Sequence, residues 1–214
     1  MRLLLIGDQQ AHRSATSLSS LKPNGAKTKV LCKKNLRITQ GMAFLKKIQK
    51  NIEAFQPTDV VLHLGQEDLH PTKLEERPIW NNEFVSCLRQ MVDWLETSFS
   101  DCVVWYSEVL PLFTPEDPDL HWKVIIKGMQ VDTPIKNWKC YNKNGSQFYK
   151  ILNDKICRVI QHPVFWSVVP PVSEPIYYDL SNPSYGKFLD NDGQRLFAKD
   201  LLNTVITDGL TSGS

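Results

Sequence analysis

Three short clusters hold the side chains best suited to chemistry, and each stands at the end of an element. Gly7-Asp8-Gln9-Gln10 follows the apolar run Leu3 to Ile6, and Gly65-Gln66-Glu67-Asp68 follows a second run that ends at Leu64. Asn191-Asp192-Gly193-Gln194-Arg195-Leu196 opens a stretch of helical periodicity. These clusters supply carboxyls, amides and a guanidinium, but neither serine nor histidine. Hydroxyls and imidazoles lie close by in the chain: His12 and Ser14 after the first cluster, His63 and His70 around the second, and Ser107 after a further apolar run. A hydroxyl, an imidazole and a carboxyl held together form an activated acyl-transfer nucleophile. A set drawn from these residues is therefore one reading of the chain, although His63, inside an apolar run, also reads as a hydrogen-bonded core histidine.

The elements that must position these clusters are legible from periodicity. Residues 2–6, 29–32, 59–64 and 102–106 read as short strands, with residues 164–169 as a last strand and 176–180 as a further strand-like piece. Residues 42–55, 82–99, 151–160 and 192–206 carry apolar stripes at helical spacing, the third stopped by Pro163. The strand runs lack inside–outside alternation, which fits strands covered on both faces. Strand and helix alternate along the chain. The expectation is one three-layer, flavodoxin-like α/β domain over residues 1–214, with a parallel sheet of about five strands and helices on both faces. An irregular insert is expected over about 111–147. In such sheets the working residues gather at the carboxyl ends of the strands, where the first two clusters fall.

Composition narrows the class. With 214 residues, 42% of them hydrophobic and 22% charged, the chain can bury one substantial core, which excludes wholesale disorder and fibrous repeats. No apolar run reaches bilayer length, and no secretory leader follows Arg2, so a soluble, cytoplasmic protein is expected. Five dispersed cysteines (32, 87, 102, 140 and 157) without a CxxC suit free thiols. Neither a metal site nor a cofactor is expected from these spacings.

Charge is unevenly spread. Residues 1–50 hold eleven Lys/Arg and one acid, whereas residues 51–122 hold three basic and fourteen acidic residues. Arg13, Lys22, Lys27, Lys29, Lys33, Lys34 and Arg37, joined by Lys187 and Arg195, are the candidate polyanion-binding set. Clustered cations bind phosphate backbones through counterion release. A second candidate patch interleaves Lys123, Lys127, Lys136, Lys139, Lys143 and Lys150 with Trp122, Trp138, Tyr141, Phe148 and Tyr149, where rings beside cations suit unpaired bases.

The order and spacing of the clusters resemble the SGNH (GDSL-type) hydrolase superfamily over almost the whole chain. GDS follows the first strand in that superfamily, a glycine lies in the second block, GxND follows the central strand, and DxxH opens the last helix. The resemblance implies a serine nucleophile, a histidine base held by the aspartate, and oxyanion donors from the first two blocks and the Asn. Gly7, Asp8, Gly41, Gly65 and Asp192 match. The decisive positions do not: Gln9 stands for the serine, Glu67 for the asparagine and Arg195 for the histidine. A primary amide, a carboxylate and a guanidinium cannot do that work.

With its basic first fifty residues, the chain is most similar within the superfamily to the OSK domains of insect Oskar proteins. These are degenerate SGNH-like domains. That resemblance implies a non-catalytic domain binding RNA, mRNA 3′ untranslated regions in particular, among the proteins of germ-plasm ribonucleoprotein granules. It also implies that this chain is part of a longer protein with a LOTUS domain. Non-catalytic RNA binding is thus the primary expectation. The alternatives are an active esterase with a relocated triad, and a protein-interaction scaffold offering Glu67, Asp68, Glu75 and Glu76 to a basic partner.

Overall fold

In the computed structural model the described residues are 1–65, 68, 82–107, 110, 158–160, 162 and 188–211. Five strands form one sheet: β1 (Arg2–Gly7), β2 (Lys27–Cys32), β3 (Asp59–His63), β4 (Val103–Ser107) and β5 (Arg158–Ile160). Their spatial order is β2-β1-β3-β4-β5, and every pair is parallel. The helices are α1 (Gln9–Arg13), α2 (Ala15–Leu21), α3 (Gly41–Phe55), α4 (Asn82–Ser98) and α5 (Asn191–Thr211), with a 3-10 turn at Ile38–Gln40 before α3. The three-layer α/β architecture agrees with the expectation.

Period-two side-chain alternation divides the strands between two cores. Leu4, Ile6, Val60, Leu62, Val104 and Tyr106 face one layer, with Leu45, Ile48 and Ile52 of α3 and Phe84, Leu88, Met91 and Leu95 of α4. Leu3, Leu5, Val61, Trp105 and Ile160 face the other, with Ala11, Leu18 and the Phe197, Ala198, Leu201, Leu202 and Val205 stripe of α5. Both faces are covered, which is why the strand sequences are apolar throughout.

Two elements depart from the expectation. No element is expected between residues 6 and 29 from periodicity, yet two short helices form there. Asp8 is buried and accepts from the Gln10 amide through Oδ1 at 2.9 Å, which caps α1, and α2 follows directly. Residues 158–160 end the stretch expected as a helix, yet they form β5, pairing Trp105↔Arg158 and Ser107↔Ile160. Ladder hydrogen bonds and burial of Ile160 decide against a helical period shared by only a few residues. The strand expected over 164–169, the piece over 176–180, the insert at 111–147 and the second basic patch lie outside the described residues.

The first basic set is also split. Lys27 opens β2 opposite Arg2, while Lys33 follows the end of β2 and donates its amide to Gly7 O. A six-residue strand separates the two by about 20 Å. Lys29 leans across Phe55, 5.7 Å from the ring centre, with its Nζ 3.4 Å from Asn51 O. Arg13 lies over Phe188 and Arg37 beside Asp68. The set does not gather at the carboxyl end of the sheet, because strand direction carries Lys22 and Lys27 to the opposite end. Lys187 lies outside the described residues.

Candidate active site

Extending the rows of the α5-facing core by one position brings polar groups together. Val61 is followed two residues on by His63, Trp105 by Ser107, and Ile160 by His162. Parallel register carries His63 to the level of Ser107, which itself pairs with Ile160, and His162 follows two residues beyond that partner at the end of β5. All three side chains are buried, Ser107 and His162 with no exposed surface. Helix α5 lies over them. Its Phe197 ring stacks on His162 at 4.7 Å and meets His63 edge-on at 4.9 Å. One turn further along, Asp200 reaches the same place, because residues three apart share a helix face.

The result is a continuous chain of hydrogen bonds. His63 Nδ1 lies 3.0 Å from Ser107 Oγ, Ser107 Oγ 2.9 Å from His162 Nε2, and His162 Nδ1 3.1 Å from Asp200 Oδ2. Asp200 as a carboxylate only accepts, so His162 places its N–H on Nδ1, and its unprotonated Nε2 can accept the Ser107 hydroxyl proton. This is the donor order of a serine–histidine–aspartate relay. Burial holds the His63 imidazole far below its ordinary range, at about 3, with the neighbouring His162 adding to that depression and the Ser107 backbone opposing it. His63 is therefore neutral across the physiological range.

The block-one elbow is bound to the same layer by other means. A Cβ built on Gly7 would lie 2.5 Å from His63 O and 2.8 Å from the Ala11 Cβ, so only glycine lets α1 and β3 approach this closely. Gln10 is buried, donates to Ser14 Oγ at 3.2 Å and accepts from the Leu189 amide at 3.2 Å. That bond joins the elbow to the entry of α5. Ser14 is held by Gln10 and is not part of the relay. Gly41 donates its amide to Ile38 O and packs on Met91, so it serves the α3 start and does not offer an oxyanion donor.

The residues singled out by position in the sequence are placed unequally. Gln9 opens α1 half-buried, while Asp192 and Arg195 are exposed on the first turns of α5. Among the described residues no interaction links these three to the relay. Glu67 and His70 lie outside the described residues, and His12 is exposed. Asp68 is not available to a basic partner, as expected for a scaffold, because it is fully buried, accepts from the Ile38 amide at 2.8 Å and approaches Arg37 at 3.9 Å. Glu75 and Glu76 lie outside the described residues. Ser107 and His63 were both among the candidate residues. His162 was hidden by the helical reading of its neighbourhood, and Asp200 by its place between the inward Phe197 and Leu201. The signal available for His162 was an imidazole two residues beyond an apolar run.

Comparison with solved structures sets the fold in context. The acetyl xylan esterase AlAXEase superposes with a TM-score of 0.61 at 12% identity, over 96% of this chain and 100% of that one. A catalytic mutant (S15A) of Axe2, an acetylxylan esterase from Geobacillus stearothermophilus, gives 0.58 at 13% identity over 94% and 92%. The lipase/acylhydrolase from Enterococcus faecalis gives 0.54 at 12% identity over 96% and 95%. The chain has an SGNH-hydrolase-like fold. Neither a protein-family model nor a curated protein matches the sequence significantly.

This outcome corrects the functional expectation. The neighbours of the SGNH-like fold named above are esterases and an acylhydrolase, and nothing in the comparisons supports RNA or germ-plasm granules. Non-catalytic mRNA binding is accordingly withdrawn. The inference from Gln9, Glu67 and Arg195 to a chain without catalytic residues also fails. It assumed that the reactive groups must occupy the superfamily's own positions, whereas the buried relay draws on β4, β5 and the middle of α5. Among the described residues no helix is long and apolar enough to cross a membrane.

Proposed function

We propose that this protein is a serine ester hydrolase whose reactive groups are Ser107, His162 and Asp200. The observation carrying the reading is the unbroken Ser107–His162–Asp200 hydrogen-bond chain at the carboxyl ends of β4 and β5. The enzymes of like fold add support. In the proposed reaction Ser107 Oγ attacks an ester carbonyl and gives its proton to His162 Nε2, while Asp200 offsets the positive charge that forms on the ring. Collapse of the tetrahedral adduct expels the alcohol, which takes that proton, and leaves an acyl group on Ser107. Water then attacks the acyl carbon, its proton passing through His162 back to Ser107 Oγ as the carboxylic acid departs.

Because Ser107 has no exposed surface, small acyl groups such as acetyl are the favoured substrates. The narrower kinship with OSK domains plays no part in this reading. The test is hydrolysis of p-nitrophenyl acetate by the purified protein and by Ser107→Ala. Turnover by the parent and a loss of about 10⁶-fold in kcat on substitution are expected, the scale of removing a triad serine. Equal rates for both proteins would refute the assignment.

A further inference from the structure

The relay has a fourth member that a serine–histidine–aspartate set does not require. His63 sits on β3, one strand away from Ser107, with Nδ1 3.0 Å from Oγ. Its other ring nitrogen, Nε2, is buried and has no hydrogen-bond partner among the described residues. A neutral imidazole carries a single ring proton, and two independent constraints decide where it resides. On Nε2 the proton would be a buried donor without an acceptor, a costly arrangement, whereas on Nδ1 it meets Ser107 Oγ. From the other side, Ser107 has one proton, which the bare Nε2 of His162 takes, so Oγ is left able only to accept from His63.

We infer that His63 is a positioning residue that donates Nδ1–H to Ser107 Oγ and so commits the serine proton to His162. The hydroxyl rotor, which in isolation samples three staggered wells, is held in one. Of the two lone pairs on Oγ, one receives the His63 N–H and the other is left for an incoming carbonyl carbon. As Oγ loses its proton, the N–H bond from His63 strengthens, since a donor to a charged oxygen is held more tightly than one to a neutral hydroxyl. The Phe197 edge and the β3 backbone fix the imidazole plane, so the donor is already in place before reaction. This role rests on the hydrolase reading, but the hydrogen-bond direction beneath it does not.

Two measurements separate the levels. Long-range proton–nitrogen correlation spectra of the full chain labelled with ¹⁵N-histidine report the tautomer of each imidazole without any substrate. The expected pattern places the His63 proton on Nδ1. A proton on Nε2 overturns the inference whether or not the protein hydrolyses esters, whereas the Nδ1 pattern in a protein without esterase activity refutes only the hydrolase reading. The second measurement compares p-nitrophenyl acetate turnover by His63→Leu and His63→Asn, the asparagine amide lying where Nδ1–H does. Loss of one oriented donor lowers kcat by about tenfold in His63→Leu with little change in KM, and His63→Asn recovers most of it. Equal kcat for the two variants would show that the donor at this position does nothing for the serine.

Discussion

Replacing Asp200 with asparagine separates a catalytic relay from a merely structural one. The side chain keeps its shape but loses its charge, and its amide can no longer serve as an unambiguous acceptor for His162 Nδ1–H. The magnitude follows from the geometry. A unit negative charge 3.1 Å from a ring that becomes cationic contributes about 5 kcal/mol at an effective dielectric of about 20, equivalent to roughly 10⁴ in rate. The Asp200 side chain is 23% exposed, so solvent screening trims that figure towards about 10³. Single-turnover hydrolysis of p-nitrophenyl acetate, followed near neutral pH with parent and Asp200→Asn at matched concentration, reads the effect in the acylation step. Far-UV and near-UV circular dichroism confirm that the variant is folded. A folded Asp200→Asn protein that acylates within threefold of the parent rate would refute the claim that Asp200 supports His162 during reaction.

Two further predictions concern the frame around the relay. His63 is depressed from 6.5 in the unfolded chain to about 3 in the folded one, so below pH 6.5 the unfolded state binds the extra proton and stability is lost as pH falls towards 3. This contributes a slope of about 1.4 kcal/mol per pH unit, and urea unfolding of the parent against His63→Asn between pH 6.5 and 4 should show it only in the parent. Parallel acid limbs would count against a neutral, buried His63. Gly7→Ala forces a methyl against His63 O and Ala11, neither of which is the far end of a flexible side chain. A loss of about 1–3 kcal/mol is expected in chemical unfolding, and an unchanged midpoint would contradict the close approach of α1 and β3.

The fold was largely legible because its strongest signals are local. Apolar runs such as Leu3 to Ile6 have no alternative but a doubly covered strand, and the stripes of α3, α4 and α5 repeat over several turns. Where the signal was shorter, tertiary context decided. The α1–α2 segment is rich in Ala, Ser and Gln and has little apolar periodicity, so its helices depend on the Asp8 cap and on packing of Ala11 and Leu18. Arg158–Ile160 is too short for its period to be read, and only the β4 edge selects a strand.

The site was half legible for the same reason. Ser107 and His63 end recognisable strands, so their types and places were visible. His162 and Asp200 are brought to them by sheet register and by the crossing of α5, which no local pattern encodes. Comparing this chain with the SGNH blocks pointed to Gln9 and Arg195, since motif position locates the superfamily's site and is blind to a relay built two strands away. Charge runs misled in a related manner. Lys27 and Lys33, six residues apart, are carried to opposite ends of the sheet by a single strand.

The most direct test of the account is covalent labelling of the nucleophile. Incubation with a small fluorophosphonate, followed by peptide mass spectrometry, should find the phosphonyl group on Ser107 and on no other serine, with labelling abolished in His162→Ala. An unmodified Ser107, or a phosphonyl group on a different serine while the protein still cleaves the ester, would contradict it.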